Sequence, residues 1–189
     1  MSDDTKDIGT LLENLFYERS DGIRSQYDRI LPFGDVIVDR WEKAKFLGFG
    51  AGTSVYDSSL VLGEVTVGDQ VWIGPQTVLD GGAAKLTIGS YCSISAGVQI
   101  YTHDSVGWAV TGGKQKYSFA PVSIGSCVYI GPQTIISKGV TIGNHCIIGA
   151  CSLVNTSFPD FSVIWGQPAT LVGTISLSND GSAFSIEYR

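Results

Sequence analysis

At 189 residues, 43% of them hydrophobic, the chain is long enough for a single domain with a substantial core. Its 18 acidic against 12 basic residues, a net charge of −6, argue against nucleic acid or an anionic membrane surface as the main partner. The start, Ser2-Asp3-Asp4, has no basic segment and no long apolar run behind it, so neither a secretory signal nor membrane insertion is predicted, and a cytoplasmic location is expected.

Residues 1–48 read as helical. Leu11, Leu12, Leu15 and Phe16 sit on helical spacing, and a second helix is predicted over Asp35 to Phe46, with Pro32 and Gly34 breaking the chain between them. These helices are expected to cap the repetitive segment that begins at Phe49, because an open solenoid end exposes apolar core and unpaired strand edges.

From Phe49 to Val154 an apolar residue recurs at every sixth position. The fifteen slots are Phe49, Val55, Val61, Val67, Ile73, Leu79, Ile88, Ile94, Ile100, Ile124, Ile130, Ile136, Ile142, Ile148 and Val154. The fifth position of each hexad is mostly small or β-branched, as in Thr53, Val71, Ala83, Cys92, Thr134 and Ser152, and suits a second, narrower inward site. A helix cannot use this period, since 3.6 residues per turn would carry the stripe round to solvent. Short strands joined by tight corners can use it, three hexads making one triangular coil, so the fold predicted is an all-β solenoid over residues 49–174, followed by a polar tail over 175–189 with a weakly signalled last strand at Phe184–Tyr188.

Two interruptions break the register. Three extra residues precede Ile88, and eighteen precede Ile124. Eighteen is one coil, yet Gly112 and Ser118 would fill its apolar slots, so residues 106–121 read as one long extruded loop.

Few side chains suit catalysis. His103 stands at the root of that loop, in the outward fourth position of its hexad, and is either catalytic or an exposed turn residue. By column arithmetic Asp80, Tyr101, Ser137 and Asn155 form a ladder beside it. His145 lies in an uninterrupted hexad and reads as a surface histidine. Cys92 and Cys146 take inward positions, Cys127 and Cys151 outward ones; without a CxxC pair they read as reduced structural thiols.

The hexads Ile130-Gly-Pro-Gln-Thr-Ile, Ile142-Gly-Asn-His-Cys-Ile and Ile148-Gly-Ala-Cys-Ser-Leu, followed by Trp165-Gly-Gln-Pro-Ala-Thr-Leu-Val-Gly, resemble the hexapeptide-repeat acyltransferases, a superfamily that includes the galactoside, maltose, serine and xenobiotic O-acetyltransferases and nucleotide-sugar N-acetyltransferases. The resemblance covers about residues 45–174. It implies a left-handed parallel β-helix with an N-terminal helical cap, assembled as a homotrimer with active sites between subunits. It further implies acetyl-CoA as acyl donor, a sugar or nucleotide-sugar acceptor of the kind used for surface polysaccharide, and no metal.

In such enzymes the matching histidine, here His103, is the general base that takes the proton of the acceptor hydroxyl as it attacks the thioester directly. Imidazole suits this because an ordinary pKa of about 6.5 leaves it mostly neutral at cell pH. Backbone N–H groups at the corners would hold the oxyanion. Asp80 resembles an acceptor-binding acid, and Asp80, Tyr101 and Trp108 are candidates for acceptor binding or for orienting the histidine, each against a plain structural role. The loop would wall the site across the adjacent subunit. The coenzyme contacts map onto Gly131, Pro132, Ser137, Gly149, Ala150, Asn155 and Thr156. The chain departs from the pattern at Thr170, where many members carry Lys or Arg after Pro-Ala, and at Asn155-Thr156 in place of Thr-Lys; Lys138, Lys114 or Lys116 would have to meet the coenzyme phosphates.

Two further functions remain open and one is disfavoured. Amino-sugar N-acetylation needs less help from a base, and a non-catalytic scaffold would bind no coenzyme. A β-helical carbonic anhydrase needs three zinc-bound histidines, and the chain has two.

Overall fold

The computed structural model describes residues 3–189, with side chains from residue 7 onward. Met1 and Ser2 of the acidic start lie outside the described residues.

The six-residue beat folds as three parallel ladders. The first stacks Ser54–Val55, Trp72–Ile73, Ser93–Ile94, Tyr129–Ile130, Ile147–Ile148 and Ser162–Gly166. The second stacks the first halves of Leu60–Val67 and Val78–Ile88 with Gln99–Tyr101, Ile135–Ile136 and Leu153–Val154. The third stacks the second halves of those two long strands with Val122–Ile124 and Thr141–Ile142, then a single bridge to Phe158. Every slot of the beat except the partly buried Val61 is buried, and all of them belong to one core cluster. Stacking like on like lets each isoleucine fill the space over its neighbour without changing rotamer, which keeps packing dense along the whole length.

The corners explain the remaining hexad positions. At the corner between the third and first ladders, each coil presents a short polar side chain to the backbone N–H of the coil before it. Asp69 accepts from Ala51 at 2.7 Å, Ser90 from Asp69 at 3.0 Å, Ser126 from Ser90 at 3.1 Å, Asn144 from Ser126 at 2.8 Å and Asp160 from Asn144 at 2.7 Å. These bonds satisfy N–H groups that the ladders leave unpaired. The next residue turns the chain in the left-handed region, as at Gln70, Tyr91, Cys127 and His145.

Both interruptions are resolved at one corner, between the second and third ladders. Opposite Glu64 the chain inserts residues 82–85 between Gly81 and Leu86, and Ala83 is exposed there. Ala83 therefore does not take the narrow inward position assigned to it; Leu86 does, fully buried two residues before Ile88. Gly81, paired with Gly63, lies so close to the Glu64 backbone that no Cβ fits. Gly81→Ala is expected to lower stability by about 1–3 kcal/mol, seen as a lower urea midpoint; an unchanged midpoint would mean that this corner yields freely. The eighteen-residue excursion leaves after Gln99–Tyr101 and returns at Val122–Ile124, which pairs directly with Leu86–Ile88, so it is an extruded loop and not a coil.

The N-terminal segment departs from the sequence reading in two ways. Instead of one helix over Asp35 to Phe46 there are two, α2 (Phe33–Ile37) and α3 (Arg40–Phe46), because the Asp39 carboxylate accepts from the N–H groups of Trp41 and Glu42 and starts a new helix. Helix α3 packs over the first coil: Ala44 is buried in the core, and the Lys43 ammonium bonds the carbonyls of Tyr56, Asp57 and Ser59 and the Asp57 carboxylate. Helix α1 (Asp3–Tyr27) lies against α2. Its Leu11, Leu12 and Leu15 are exposed and do not cover the solenoid, while Phe16 stacks on Phe33 of α2 at 5.7 Å.

At the other end, residues 175–189 continue as sheet. Ser162–Gly166 turns through Gln167-Pro168 into Ala169–Leu177, and Phe184–Tyr188 adds an antiparallel edge. All four cysteines are free thiols. Burial pushes the Cys92 thiol up to about 11 and raises that of Cys146, which keeps both protonated and unreactive.

Candidate active site

The corner that absorbs both insertions also carries the histidine. Asp80 and Tyr101 are paired in register on the second ladder, and Ser137 and Asn155 continue that column into the next two coils. His103 leaves the hexad pattern. Instead of turning at the corner, His103–Asp104 forms a short strand antiparallel to Ser118–Phe119, which closes the base of the excursion together with the Ala120 N–H bonded to the Thr102 carbonyl at 3.0 Å.

This strand brings the imidazole over the coil below. His103 Nδ1 lies 2.7 Å from Oδ2 of Asp80; the carboxylate is 2% exposed and the imidazole 36%. Among the described residues neither atom has a hydrogen-bond partner besides this close contact. The other carboxylate oxygen accepts from the Gly82 N–H at 2.9 Å, which fixes Asp80 from its own insertion. A buried carboxylate facing Nδ1 selects the tautomer that leaves Nε2 free.

The excursion folds back over its own root. Tyr117 lies parallel to the His103 ring with centroids 6.5 Å apart, Phe119 is tilted at 6.4 Å, and Trp108, on the short helix Val106–Val110, meets Tyr117 edge-on at 5.9 Å. This aromatic wall belongs to the same chain as the histidine. Asp104, next to it, accepts from the Val106 N–H and pairs with Lys138 at 2.8 Å, pinning the loop to the following coil. Lys138 and the Val106 N–H together hold the Asp104 carboxyl below the usual carboxylate range. A lowered pKa means the pair stabilises the fold above the ordinary carboxylate range and fades as pH falls through the lowered value, so it is intact at neutral pH.

The candidates divide. Asp80 and His103 meet, and Tyr101 is their neighbour, although its hydroxyl donates to Gln99 at 2.8 Å and not to the histidine. Trp108 reaches the histidine only through Tyr117. The coenzyme candidates lie on two separate corners of this chain. Ser137, Asn155 and Thr156 share the histidine's corner, whereas Gly131, Pro132, Gly149 and Ala150 follow the first ladder. The two glycines there have a packing reason: a Cβ on Gly131 would come 2.5 Å from the Ala150 nitrogen, and one on Gly149 would come 2.7 Å from the Trp165 Cβ. Lys138 is engaged by Asp104 and so is not a free cation for a phosphate, while Lys114 and Lys116 stay exposed on the excursion. His145 is half-buried, stacked on Phe161 at 5.1 Å. Sequence reasoning missed Phe119 and the Asp104–Lys138 pair; the first needed the antiparallel pairing of the loop, the second the stacking of coils 34 positions apart in the sequence.

Among the described residues no group of three or more His, Cys, Asp or Glu is placed to hold a metal ion, and no helix is long and apolar enough to cross a membrane.

Known proteins share this repeat. Residues 121–156 match the family model of the bacterial transferase hexapeptide (six repeats). The galactoside O-acetyltransferase of Escherichia coli (strain K12) is 30% identical over 131 residues, 59% of this chain and 64% of that protein. The putative colanic acid biosynthesis acetyltransferase WcaF of the same strain is 30% identical over 111 residues, 58% of each. The chain thus spans a little under two thirds of the length of these curated relatives. Among solved structures, AntD, an N-acyltransferase from Bacillus cereus in complex with dTDP and 3-hydroxybutyryl-CoA, superposes with a TM-score of 0.60 at 25% identity, over 67% of this chain and 71% of that one. By its repeat, its ladders and these relatives, the chain resembles the hexapeptide-repeat acyltransferases.

Proposed function

We propose that the chain is an acetyl-CoA-dependent acetyltransferase acting on a hydroxyl of a sugar or nucleotide sugar, with His103 as general base. The observation that carries this is the buried Asp80 carboxylate 2.7 Å from Nδ1 of a half-exposed histidine at the root of an aromatic loop. In the reaction, Nε2 of His103 takes the acceptor hydroxyl proton as that oxygen attacks the thioester carbonyl. The carbon–sulfur bond then breaks, and the proton passes to the departing thiolate. Asp80 holds the ring and stabilises the imidazolium formed in between. Tyr117 and Phe119 flank the ring, and together with Trp108 they suit the apolar face of a sugar.

The two coenzyme corners of one chain would meet only if a neighbour's first-ladder corner faced this chain's second. A left-handed helix packed as a homotrimer, with the helical segment 1–48 at its end, is therefore part of the proposal. So are a cytoplasmic location and a role in surface polysaccharide synthesis, for which the relative WcaF gives support. An amine acceptor is the second reading, supported by the resemblance to the N-acyltransferase AntD.

The test is thiol release from acetyl-CoA against a panel of neutral and amino nucleotide sugars and simple glycosides. Turnover with a hydroxyl acceptor is the expected result; turnover only with amino sugars moves the assignment to the amine, and no turnover with any of them overturns it. Lys138→Met, which frees the loop root but leaves the histidine, is expected to lower turnover by no more than about fivefold, because a solvent-accessible ion pair contributes little; initial-rate kinetics at saturating acetyl-CoA would read this, and a far larger loss would give Lys138 a direct contact with substrate.

A further inference from the structure

A cavity of about 420 Å³ lies away from the histidine, between α1, the connection that leads on from it, α3 and the first coil. Its size falls within the usual range for a small-molecule site, about 300–1,000 Å³. Three arginines reach it from three different segments: Arg19 from α1, Arg29 from the connection and Arg40 from the start of α3. Among the described residues none of the three forms an ion pair.

Their contacts are of another kind. Arg19 donates to the Ile37 carbonyl at 3.0 Å. The Arg40 guanidinium lies 4.2 Å from the centre of the Trp41 ring and 5.3 Å from that of Tyr56, whose hydroxyl it bonds at 3.2 Å. Arg29 lies 5.9 Å from the Tyr27 ring. Each of these contacts leaves guanidinium N–H groups without an acceptor, since a guanidinium carries five. Two carboxylates also line the cavity, but both are engaged locally: Asp39 accepts from the Trp41 and Glu42 N–H groups, and Asp35 from the Asp57 and Ser58 N–H groups and the Ser58 hydroxyl. Apart from Gln26, the remaining wall is aromatic and apolar, including Tyr27, Trp41, Ile23, Leu31 and Val36.

Unpaired guanidiniums gathered from three segments suit an anion with several oxygens, and planar forks favour phosphate. The aromatic and apolar wall beside them suits a flat ring. We propose that this cavity binds a phosphorylated nucleoside, with the phosphates on Arg19, Arg29 and Arg40 and the base against the aromatic wall. A ligand held in this way ties α1 and its connection to α3 and so to the first coil, adding to the contacts that α2 and α3 already make with it. The site is independent of the transferase assignment, since it shares no residue with the His103 corner.

UDP is the probe, titrated by calorimetry into the full chain presaturated with CoA, so that a coenzyme site is already filled. Saturable binding is expected, weakened at least roughly tenfold in Arg29→Gln, whose side chain makes no hydrogen bond among the described residues, and further in Arg19→Gln/Arg29→Gln. Hydrogen exchange should show residues 19–41 protected when UDP is bound. Absence of binding at millimolar UDP, binding that CoA abolishes, or equal affinity in the double variant would each overturn the site. Inorganic pyrophosphate binding as tightly as UDP would remove the nucleoside from it.

Discussion

His103→Ala is expected to lower acetyl transfer to a hydroxyl acceptor by about 10²–10⁴-fold, the usual share of general-base catalysis, with coenzyme affinity and thermal stability nearly unchanged. The reasons are geometric. The ring is half-exposed, sits outside the core cluster, and makes one close polar contact, with Asp80. Its removal therefore leaves the ladders as they are, while an acceptor hydroxyl, a poor nucleophile while protonated, loses the group that takes its proton. Single-turnover rates for wild type and variant, measured across pH, separate chemistry from binding. A variant that keeps wild-type rates would sink the base assignment, and one that loses activity only with hydroxyl acceptors would show that an amine attacks unaided.

Asp80→Asn is expected to reduce turnover by roughly 10- to 100-fold. That magnitude comes from losing a charge-assisted contact worth about 1.5–3 kcal/mol at about 1.4 kcal/mol per tenfold change. The amide keeps the shape and can still accept from Gly82, so the corner should fold. What it loses is the charge that favours the imidazolium, and the amide can also turn its NH₂ towards Nδ1 and select the wrong tautomer. The discriminating readout is the pH profile: if Asp80 acts through His103, the acidic limb, where the base becomes protonated, moves in Asp80→Asn, and the KM for acetyl-CoA does not. Equal loss of acceptor affinity with an unmoved profile would make Asp80 an acceptor ligand instead.

Much of this fold could be read without coordinates, because a beat of six residues admits one kind of object. The apolar slots needed no tertiary information: each is buried by the copy of itself above and below. The location of the candidate site was legible for a related reason, since His103 stands where the beat stops and the structure brings Asp80 to it. Less was legible wherever contacts run between coils or outside the repeat. Nothing in the hexads says that Ala83 is pushed out and Leu86 drawn in, because the three extra residues can be placed at several points of equal apolarity. The break between α2 and α3 was signalled by Asp39, a good N-cap, but the apolar spacing across it looked continuous. The leucines of α1 spaced well for a helix and said nothing about which surface would receive them.

The polar ladder from Ala51 to Asp160 has an evolutionary consequence. It joins every coil to the next along one edge of the solenoid with bonds that tolerate no change in length, because one residue more or fewer would leave an N–H facing nothing. The opposite situation holds at the edge of Gly82 and His103, where 3 and 18 extra residues enter between strands that stay paired on either side. One edge thus keeps the register while another is free to grow. New loops can be acquired beside the histidine without re-solving the folding problem.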